Sequence, residues 1–365
     1  MGKSVGIQID PLPRLSAAVT ILKFNEKEIM NPVLPAETDT KIWDAWLSSY
    51  QGAAISVALE LQIFETLKEP ADVATLQRQT GFSTRGLTAL LAMLKCLGFL
   101  DRRNEAYQLN PISRSYFLKE SPFFWGPFFS RLAIGLPAYK LLLENVRDDR
   151  TSEVRAAEGW ESGEIDDEAA KRITDFMHCH SIAPAVGLAQ AIDFSGVRRL
   201  LDIGGGSGCY ATSIAAANPG MHATIMDLPS VCGVARSYIE RAGVADRVDT
   251  TSVNMFRESW PQGYDAHFFA NVFHDWSLET CASLAASSFA ALERGGRIYL
   301  QEILLDDSGD NPTIAVAFSL LMCLGTKGQQ FTFGQLKDIL ESAGFTGVTT
   351  QRSYGYYSIV TGIKA

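Results

Sequence analysis

The sequence contains no closely spaced cysteines. Six are present, and they lie far apart without a Cys-x-x-Cys pair: Cys96, Cys179, Cys209, Cys232, Cys281 and Cys323. Disulfide frameworks and structural zinc sites normally show tighter spacing. The pattern therefore predicts buried, reduced thiols in a cytoplasmic protein, and it predicts no metal site built from cysteine.

Long apolar runs and clusters of basic residues are also missing. The apolar stretches near the N-terminus are short and are interrupted by Pro11, Pro13 and Pro32, which argues against a signal peptide, and no run has the length of a membrane span. The net charge is −9, whereas a nucleic-acid partner requires a concentrated basic surface for its phosphates. We therefore expect neither a membrane nor a nucleic-acid partner.

A large apolar fraction in a long chain is what the sequence does contain. Hydrophobic residues make up 47% and charged residues 20% of the 365 residues, which is typical of a soluble globular protein with two or three domains. The pattern along the chain divides it into an N-terminal extension (1–40), a winged-helix-like unit (41–118), a helical region (119–195) and an α/β unit (196–365).

The winged-helix-like unit favours a protein partner over DNA. Residues 55–67 form an amphipathic pattern, Ser83 caps a second helix, and a small hairpin turns near Asn104. The second helix has one apolar face made of Leu87, Leu90, Leu91, Leu94 and Leu97. A helix with so few charged residues does not suit binding in a groove of DNA. The leucine-rich faces of residues 55–100 exceed what so small a unit can bury, which predicts an obligate homodimer held by the N-terminal half.

The α/β unit alternates strands with helices. Its strand-like runs are RRLLDIG, HATIMDL, RVDTTSV, YDAHFFANVF and GGRIYLQEIL. This alternation predicts a parallel sheet with helices on both faces. Two last runs, TGVTTQRSY and YYSIVTGIKA, are too close for a parallel crossover and must form an antiparallel hairpin. A parallel sheet with one reversed strand is the Rossmann-like arrangement of class I methyltransferases, and it differs from the wholly parallel nicotinamide-binding one.

A glycine-rich turn connects the first of these strands to a helix. Gly204, Gly206 and Gly208 supply the sharp bend and the close backbone approach that a ligand needs, and Asp202 ends the strand facing the crevice. Asp227 ends the next strand, where a carboxylate can accept hydrogen bonds from both hydroxyls of a ribose. The glycine spacing also satisfies a dinucleotide fingerprint, so a nicotinamide oxidoreductase is the rival interpretation at this point.

Five ordered motifs make the interpretation more specific. In chain order they are LLDIGGGSG, MDLPSV, VNMF, NVFHDWS and the helix end ESAGF. Over nearly the whole chain, this layout resembles the small-molecule O-methyltransferases of the caffeate and hydroxyindole type, from plant and bacterial secondary metabolism. The resemblance implies that S-adenosylmethionine is the cofactor, that residues 196–365 bind it and carry the chemistry, and that the winged-helix domain dimerises.

The resemblance also assigns cofactor contacts by position. It places Gly204 against the methionyl part, Asp227 at the ribose, and Asn254 and Met255 at the adenine. Asp202, Gly206 and Leu228, from the same segments, are expected to contact the cofactor as well. Two positions depart from the family pattern. Asn254 stands in place of an Asp, and Ala270 stands in place of a Lys of the plant members. The contact to the methionyl carboxylate must therefore come from elsewhere, such as backbone amides.

His274 is the candidate general base. It follows the fourth strand, at the edge where the crevice opens, and an imidazole can take a proton from a phenol or an enol. The resemblance gives His274 the same role and makes Glu302 the acid that orients it. The family has a second acid at a position that is occupied here by Gln330. The amide of Gln330 can hydrogen-bond an imidazolium but cannot stabilise it by charge.

Substrate contacts are expected from three regions. Trp125 belongs to an aromatic cluster that we expect to form a pocket wall, and Gln330 lies in the loop before the last helix. Met177 and His178 lie on the helix before the cofactor domain, which supplies pocket residues in the resembled family. His178 and His180 are two positions apart on a helix, so at most one points inward, and the pair is not expected to bind a metal.

Several activities stay open beside O-methylation of a small aromatic or enolic metabolite. Gln330 leaves open C-methylation of an acidic carbon, as in relatives that act on 2-oxo acids. Other chemistry on the same fold, such as decarboxylation or rearrangement, is disfavoured by His274, which suits proton removal. The C-terminal hairpin and the motif at His274 disfavour a nicotinamide oxidoreductase. A transcriptional regulator is the least supported alternative.

Overall fold

The computed structural model describes residues 33–149 and 159–365, so most of the extension predicted over residues 1–40 lies outside the described residues. The N-terminal part contains α1 (Thr40–Leu47), α2 (Ser49–Glu60), α3 (Ile63–Thr66), α4 (Val73–Thr80), α5 (Thr84–Cys96), β1 (Leu100–Arg103), β2 (Ala106–Leu109) and α6 (Pro111–Tyr116). It is followed by α7 (Gly126–Ala133), α8 (Pro137–Asp148) and α9 (Asp167–Ala191).

Local signals in the sequence explain most boundaries of the N-terminal part. The hydroxyl of Ser83 accepts a hydrogen bond from the backbone amide three residues further on and begins α5, as predicted. Asn104 and Glu105 both have positive φ in the turn between β1 and β2, which confirms the hairpin. The single helix predicted over residues 55–67 is wrong, because Gln62 adopts a left-handed conformation (φ 57°) between α2 and α3.

The remaining elements are β3 (Arg199–Ile203), α10 (Cys209–Ala217), β4 (His222–Asp227), α11 (Pro229–Ala242), β5 (Val248–Ser252), β6 (Ala266–Ala270), α12 (Leu278–Ala291), β7 (Arg297–Ile303), α13 (Thr313–Gly325), α14 (Phe333–Ser342), β8 (Thr346–Tyr354) and β9 (Tyr357–Ile363). A short 3-10 turn, Phe273–Asp275, follows β6. The sheet order is β5-β4-β3-β6-β7-β9-β8. Strands β3 to β7 are parallel, and β9 runs antiparallel to both β7 and β8. The predicted parallel sheet with one reversed strand is confirmed.

The order of the strands determines where a ligand can bind. The chain proceeds outward in one direction from β3 through β4 to β5, and in the other direction from β6 to β7. In parallel sheets of this kind, the crevice opens beyond the carboxyl ends of the strands where the order reverses. That point lies between β3 and β6, so the residues that follow Ile203 and Ala270 face the crevice.

One helix of the α/β unit packs in the N-terminal core. Phe318 and Leu320 of α13 are buried in the same apolar cluster as Leu87 and Leu90 of α5. The leucine face of α5 is therefore covered within the chain, because α13 supplies the apolar surface that the small N-terminal unit lacks. The prediction that these leucines form the dimer interface is wrong. The four-part division of the chain stays a prediction.

Exposed apolar side chains are concentrated around α7 instead. Tyr116, Phe123, Trp125, Phe128 and Leu132 are each more than one-third exposed, and we call this set the α7 face. Its rings contact one another, since the ring centroids of Trp125 and Phe128 are 5.4 Å apart and those of Tyr116 and Phe123 are 6.4 Å apart. None of the described helices is both long enough and apolar enough to cross a membrane.

Candidate active site

The glycine-rich turn between β3 and α10 forms one side of the crevice. Gly204, Gly206 and Gly208 have φ angles of 68°, 57° and 74°, in the region that favours glycine. A Cβ atom at Gly208 would lie 2.0 Å from Cδ1 of Ile225 on β4, so close packing excludes a side chain there as well. The turn brings its backbone atoms to the carboxyl ends of β3 and β4.

Asp227, at the end of β4, is held by this turn. Its Oδ2 accepts a hydrogen bond of 3.0 Å from the amide of Gly206, and its Oδ1 accepts one of 2.8 Å from the amide of Leu228. Burial raises the pKa of the carboxyl to about 6, and the two hydrogen bonds oppose that rise. Each carboxylate oxygen has a further lone pair, so Asp227 can still accept hydrogen bonds from ribose hydroxyls.

Asp202, near the end of β3, is buried beside the glycine-rich turn. Burial raises the pKa of its carboxyl to about 7, a hydrogen bond from the Ala211 amide lowers it, and the charge of Asp227 raises it. Its Oδ2 has no hydrogen-bond partner within the described part of the chain. A buried oxygen without a donor costs free energy, so this atom is prepared for a ligand that donates hydrogen bonds.

The segment after β5 closes another side of the crevice. Asn254 donates through Nδ2 to the carbonyl oxygen of Glu161 (3.1 Å), and its Oδ1 accepts from the amide of Phe256 (2.9 Å). Met255 lines the cavity next to it. The Asn254 amide thus holds the segment at Glu161 beside the cavity, and its contact to an adenine edge stays a prediction.

These elements enclose a cavity of about 190 Å³. Its acidic lining residues are Asp202, Asp227 and Asp275, and no lysine or arginine lines it among residues 33–149 and 159–365. Aromatic rings contribute as well, and the rings of Phe256 and Trp276 meet edge to face at 4.6 Å. A wall with this charge favours a ligand that carries positive charge, such as a sulfonium.

His274 lies in the 3-10 turn after β6 and is buried. Its Nδ1 lies 2.8 Å from Oε2 of Glu302, and its backbone amide donates to Oε1 of the same carboxylate at 3.4 Å. Glu302 comes from the end of β7, so the sheet itself positions both partners. When Nδ1 donates its proton to Glu302, the lone pair of the neutral imidazole is on Nε2. His274 and Glu302 thus meet the geometric requirement for an oriented base.

The pKa of His274 is raised to about 9. Burial lowers it, but the charges of Glu302 and Asp275 and the hydrogen bond to Glu302 outweigh burial. Oδ1 of Asp275 lies 3.7 Å from Nε2. An imidazole with this pKa is a stronger base than an ordinary histidine, and its basicity approaches that of a phenolate.

Aromatic side chains from both halves of the chain surround the base. The ring of Phe318 on α13 lies 5.1 Å from that of His274 and 5.4 Å from that of Trp43 on α1. The ring of His180 on α9 lies 5.5 Å from that of Trp43. Phe318 thus contributes a buried apolar surface next to the imidazole, and Trp43 packs behind it.

Gln330 does not contact the base through its side chain. It is 1% exposed, and neither atom of its amide has a hydrogen-bond partner among the described residues. It lines a different cavity, between α5 and the loop after α13. The loop reaches His274 through backbone, since a Cβ atom at Gly328 would lie 1.9 Å from the His274 carbonyl oxygen. A substrate contact by Gln330 stays a prediction that this placement does not support.

Both histidines of α9 line the cavity, so the prediction that at most one faces inward is wrong. Nδ1 of His178 lies 2.9 Å from the hydroxyl of Ser207 in the glycine-rich turn, whereas Nε2 of His180 lies 3.3 Å from the sulfur of Met177. The two side chains leave α9 toward different parts of one cavity. Burial lowers the pKa of each to about 4, so both are neutral near pH 7.

Trp125 lies outside both cavities. It is 48% exposed and packs against Phe128 and Phe129 on the α7 face. Phe129, from the same aromatic cluster, packs against the N-terminal core, and no residue of 123–129 lines either cavity. Trp125 is therefore not brought to the cavity of its own chain.

The sheet is parallel with one reversed strand, and an acidic crevice opens where the strand order reverses. The oriented base His274 stands next to Asp275, which lines that crevice. Together these features define a class I methyltransferase. Comparisons with known proteins agree. Residues 139–346 match an O-methyltransferase domain, and residues 43–119 match an O-methyltransferase dimerisation domain. The chain therefore belongs to the O-methyltransferase family and is an S-adenosylmethionine-dependent enzyme.

Individual relatives extend over almost the whole chain. A 3-hydroxy-5-methyl-1-naphthoate 3-O-methyltransferase from Streptomyces sahachiroi is 30% identical over 341 residues, which cover 92% of this chain and 96% of the relative. An O-methyltransferase family 2 protein from Planctomyces limnophilus, solved in complex with apigenin, has a TM-score of 0.82 at 24% identity, covering 91% of this chain and 98% of its own. Human N-acetylserotonin methyltransferase, solved with SAM, has a TM-score of 0.57 at 23% identity, with coverages of 91% and 100%.

Proposed function

We propose that the chain transfers a methyl group from S-adenosylmethionine to a hydroxyl oxygen of a small aromatic or enolic metabolite, with His274 as general base. The observation that carries the proposal is the 2.8 Å contact between His274 and Glu302, next to Asp275 of the acidic crevice. S-adenosylmethionine supplies an electrophilic methyl group when bound. The protein must then present a nucleophilic oxygen and remove its proton.

The basicity of His274 favours a phenol or an enol over an aliphatic alcohol. The pKa of a phenol is about 10, close to the value of about 9 to which Glu302 and Asp275 raise the pKa of His274. Proton transfer between groups of similar pKa is nearly balanced in free energy. The naphthoate substrate in the name of the Streptomyces sahachiroi relative agrees with this class.

The cofactor contacts in this proposal follow the order of the elements along the crevice. Asp227 and Leu228 bind the ribose, Asn254 and Met255 flank the adenine, and Asp202, Gly204 and Gly206 surround the methionyl part. His178 lies on the cofactor side, because its Nδ1 contacts Ser207. We assign His180 to the substrate side, where its ring contacts that of Trp43, together with Met177, whose sulfur contacts His180.

The chain also acts as a homodimer in this proposal, through the α7 face. The match to a dimerisation domain over residues 43–119 includes Tyr116, and the other members of the face continue directly from it. A contiguous exposed aromatic set of this kind is typical of a protein interface. A cytoplasmic location agrees with six cysteines that are all free thiols.

The test is methyl transfer to a panel of phenols, enols and 2-oxo acids with isotopically labelled S-adenosylmethionine. We expect formation of S-adenosylhomocysteine with phenols or enols, and NMR of the product should place the label on oxygen. A label on carbon would replace the proposal with C-methylation. Product without transfer of the label would contradict methyl transfer altogether.

A further inference from the structure

Three unpaired polar atoms of the cofactor cavity come from adjacent elements of the α/β unit, whereas a fourth, Nδ1 of His180, comes from α9. Oδ2 of Asp202, the hydroxyl of Tyr210 and Oδ1 of Asn271 are buried, have no hydrogen-bond partner within the described residues, and belong to side chains that line the cavity. They come from the carboxyl ends of β3 and β6 and from the start of α10. Buried polar atoms are nearly always hydrogen-bonded, so three unpaired ones together indicate a ligand with several polar groups.

The ring of Tyr210 packs on the face of the sheet that also carries the side chain of Asp202. Its ring centroid lies 5.5 Å from that of Phe268 on β6, and Phe268 is paired with Asp202 on β3. Ala270, two residues further along β6, is on the same face of the strand because side chains alternate, and it also lines the cavity. Burial raises the pKa of the Tyr210 hydroxyl well above its ordinary value. Tyr210 is therefore a neutral hydroxyl that can donate a hydrogen bond.

Asn271 is placed by an unusual backbone conformation. Its φ is 54°, in the left-handed region, and its backbone amide donates a hydrogen bond to the carbonyl oxygen of Gln301 on β7. Asparagine tolerates this region better than most residues, but the conformation still persists only where the surroundings hold it. The result is an amide oxygen at the cavity wall immediately after β6.

The cofactor brings an amino-acid end with an ammonium and a carboxylate into a cavity whose described wall has no lysine or arginine. The carboxylate must therefore be bound by neutral donors, and the ammonium by oxygen acceptors. We propose that the hydroxyl of Tyr210 binds the carboxylate, and that Asp202 and Asn271 accept hydrogen bonds from the ammonium. This inference rests on S-adenosylmethionine as the cofactor and adds the residues that recognise its amino-acid end.

The test compares two ligands by isothermal titration calorimetry. S-adenosylhomocysteine has the amino-acid end, whereas methylthioadenosine lacks it and keeps the adenine and the ribose. Tyr210→Phe removes the hydroxyl and keeps the ring against Phe268. A hydrogen bond to a charged group corresponds to roughly a 10- to 100-fold change in affinity. We expect a loss of about that size for S-adenosylhomocysteine and no change for methylthioadenosine.

Two control variants separate this proposal from the assignment of the cofactor site. Tyr299→Phe removes the hydroxyl of a tyrosine on β7 that lies outside the cavity. It should change the affinity for neither ligand. Asp227→Ala removes the ribose contact and should weaken both ligands. If Asp227→Ala leaves both affinities intact, the cofactor assignment is at fault.

The proposal on Tyr210 has its own decisive outcome. If Asp227→Ala weakens both ligands but Tyr210→Phe retains native affinity for S-adenosylhomocysteine, or weakens both ligands equally, the inference is overturned. Tyr210→Met, which keeps apolar bulk beside Phe268, gives a second test should the phenylalanine variant fail to fold by circular dichroism. Asn271→Ala should likewise weaken only S-adenosylhomocysteine.

Discussion

Both oxygens of the Glu302 carboxylate contact His274, one at Nδ1 (2.8 Å) and the other at the backbone amide (3.4 Å). One residue thus determines the orientation of the imidazole and also contributes to its basicity. The side chain of Gln330, at the position of a second acid in the resembled family, makes no hydrogen bond within residues 33–149 and 159–365. Glu302 therefore has the larger influence on this base, and Asp275 has a smaller one.

Replacing the base tests its role most directly. His274→Ala should lower turnover on the order of 10²- to 10⁴-fold, because a positioned general base contributes about that factor. The affinity for S-adenosylhomocysteine should stay close to native, since His274 does not line the cofactor cavity. Steady-state kinetics and calorimetry on the same preparation measure the two quantities. Native turnover in this variant would mean that the substrate loses its proton without the enzyme.

The pH dependence of the rate should reflect the raised pKa of His274. Only the neutral imidazole accepts a proton, so kcat/KM should rise with pH up to about 9. Glu302→Gln removes the larger of the two charges that raise this pKa, so the rising limb should move to lower pH while the plateau falls. Asp275→Asn should move the limb in the same direction by less. A limb that stays in place in Glu302→Gln would show that another group controls it.

Gln330 offers a prediction about stability. Its side-chain amide is buried and has no partner in the part of the chain that the structure describes. Replacing an unpaired buried amide by an apolar group of similar shape relieves a desolvation cost of about 1 kcal/mol or more. Gln330→Met should therefore raise the free energy of unfolding in urea by about 1 kcal/mol. A loss of stability would show that the amide has a partner in solution. A large increase in KM for the methyl acceptor would instead support the predicted substrate contact.

The α7 face should determine the oligomeric state. Phe128→Glu places a charge in the middle of this face, where Phe128 is 56% exposed, and should convert a dimer into a monomer at micromolar concentration. Sedimentation velocity measures the change. Leu278→Glu, at an exposed apolar position on α12, is the matched control and should remain dimeric. A Phe128→Glu dimer as tight as native would place the interface elsewhere.

Local and periodic features were predictable from the sequence. Three such features have the predicted form: the cap at Ser83, the turn at Asn104 and the antiparallel hairpin of β8 and β9. Each depends on residues that are neighbours in the sequence. The glycine turn and Asp227 also come together as expected, because parallel strands that end at one edge bring their last residues close.

Long-range packing could not be predicted in the same way. The apolar sequence of α13 is buried on most sides, and such a pattern does not indicate which half of the chain it joins. Trp125 lies in an aromatic cluster that fits a pocket wall and an outer face equally well. Tyr210 has no motif of its own, and its place among the cavity residues is visible only in the folded chain, where its ring packs on Phe268 beside Asp202.

The position of α13 has a consequence for how this enzyme can be divided. An isolated segment of residues 196–365 would expose Phe318 and Leu320 to water and lose the aromatic contacts between Phe318 and Trp43. The two halves are therefore expected to melt in one transition, and neither is a module that can be exchanged between relatives on its own. Because the ring of Phe318 also contacts that of His274, a repacking mutation deep in the N-terminal half can change proton removal without touching either ligand.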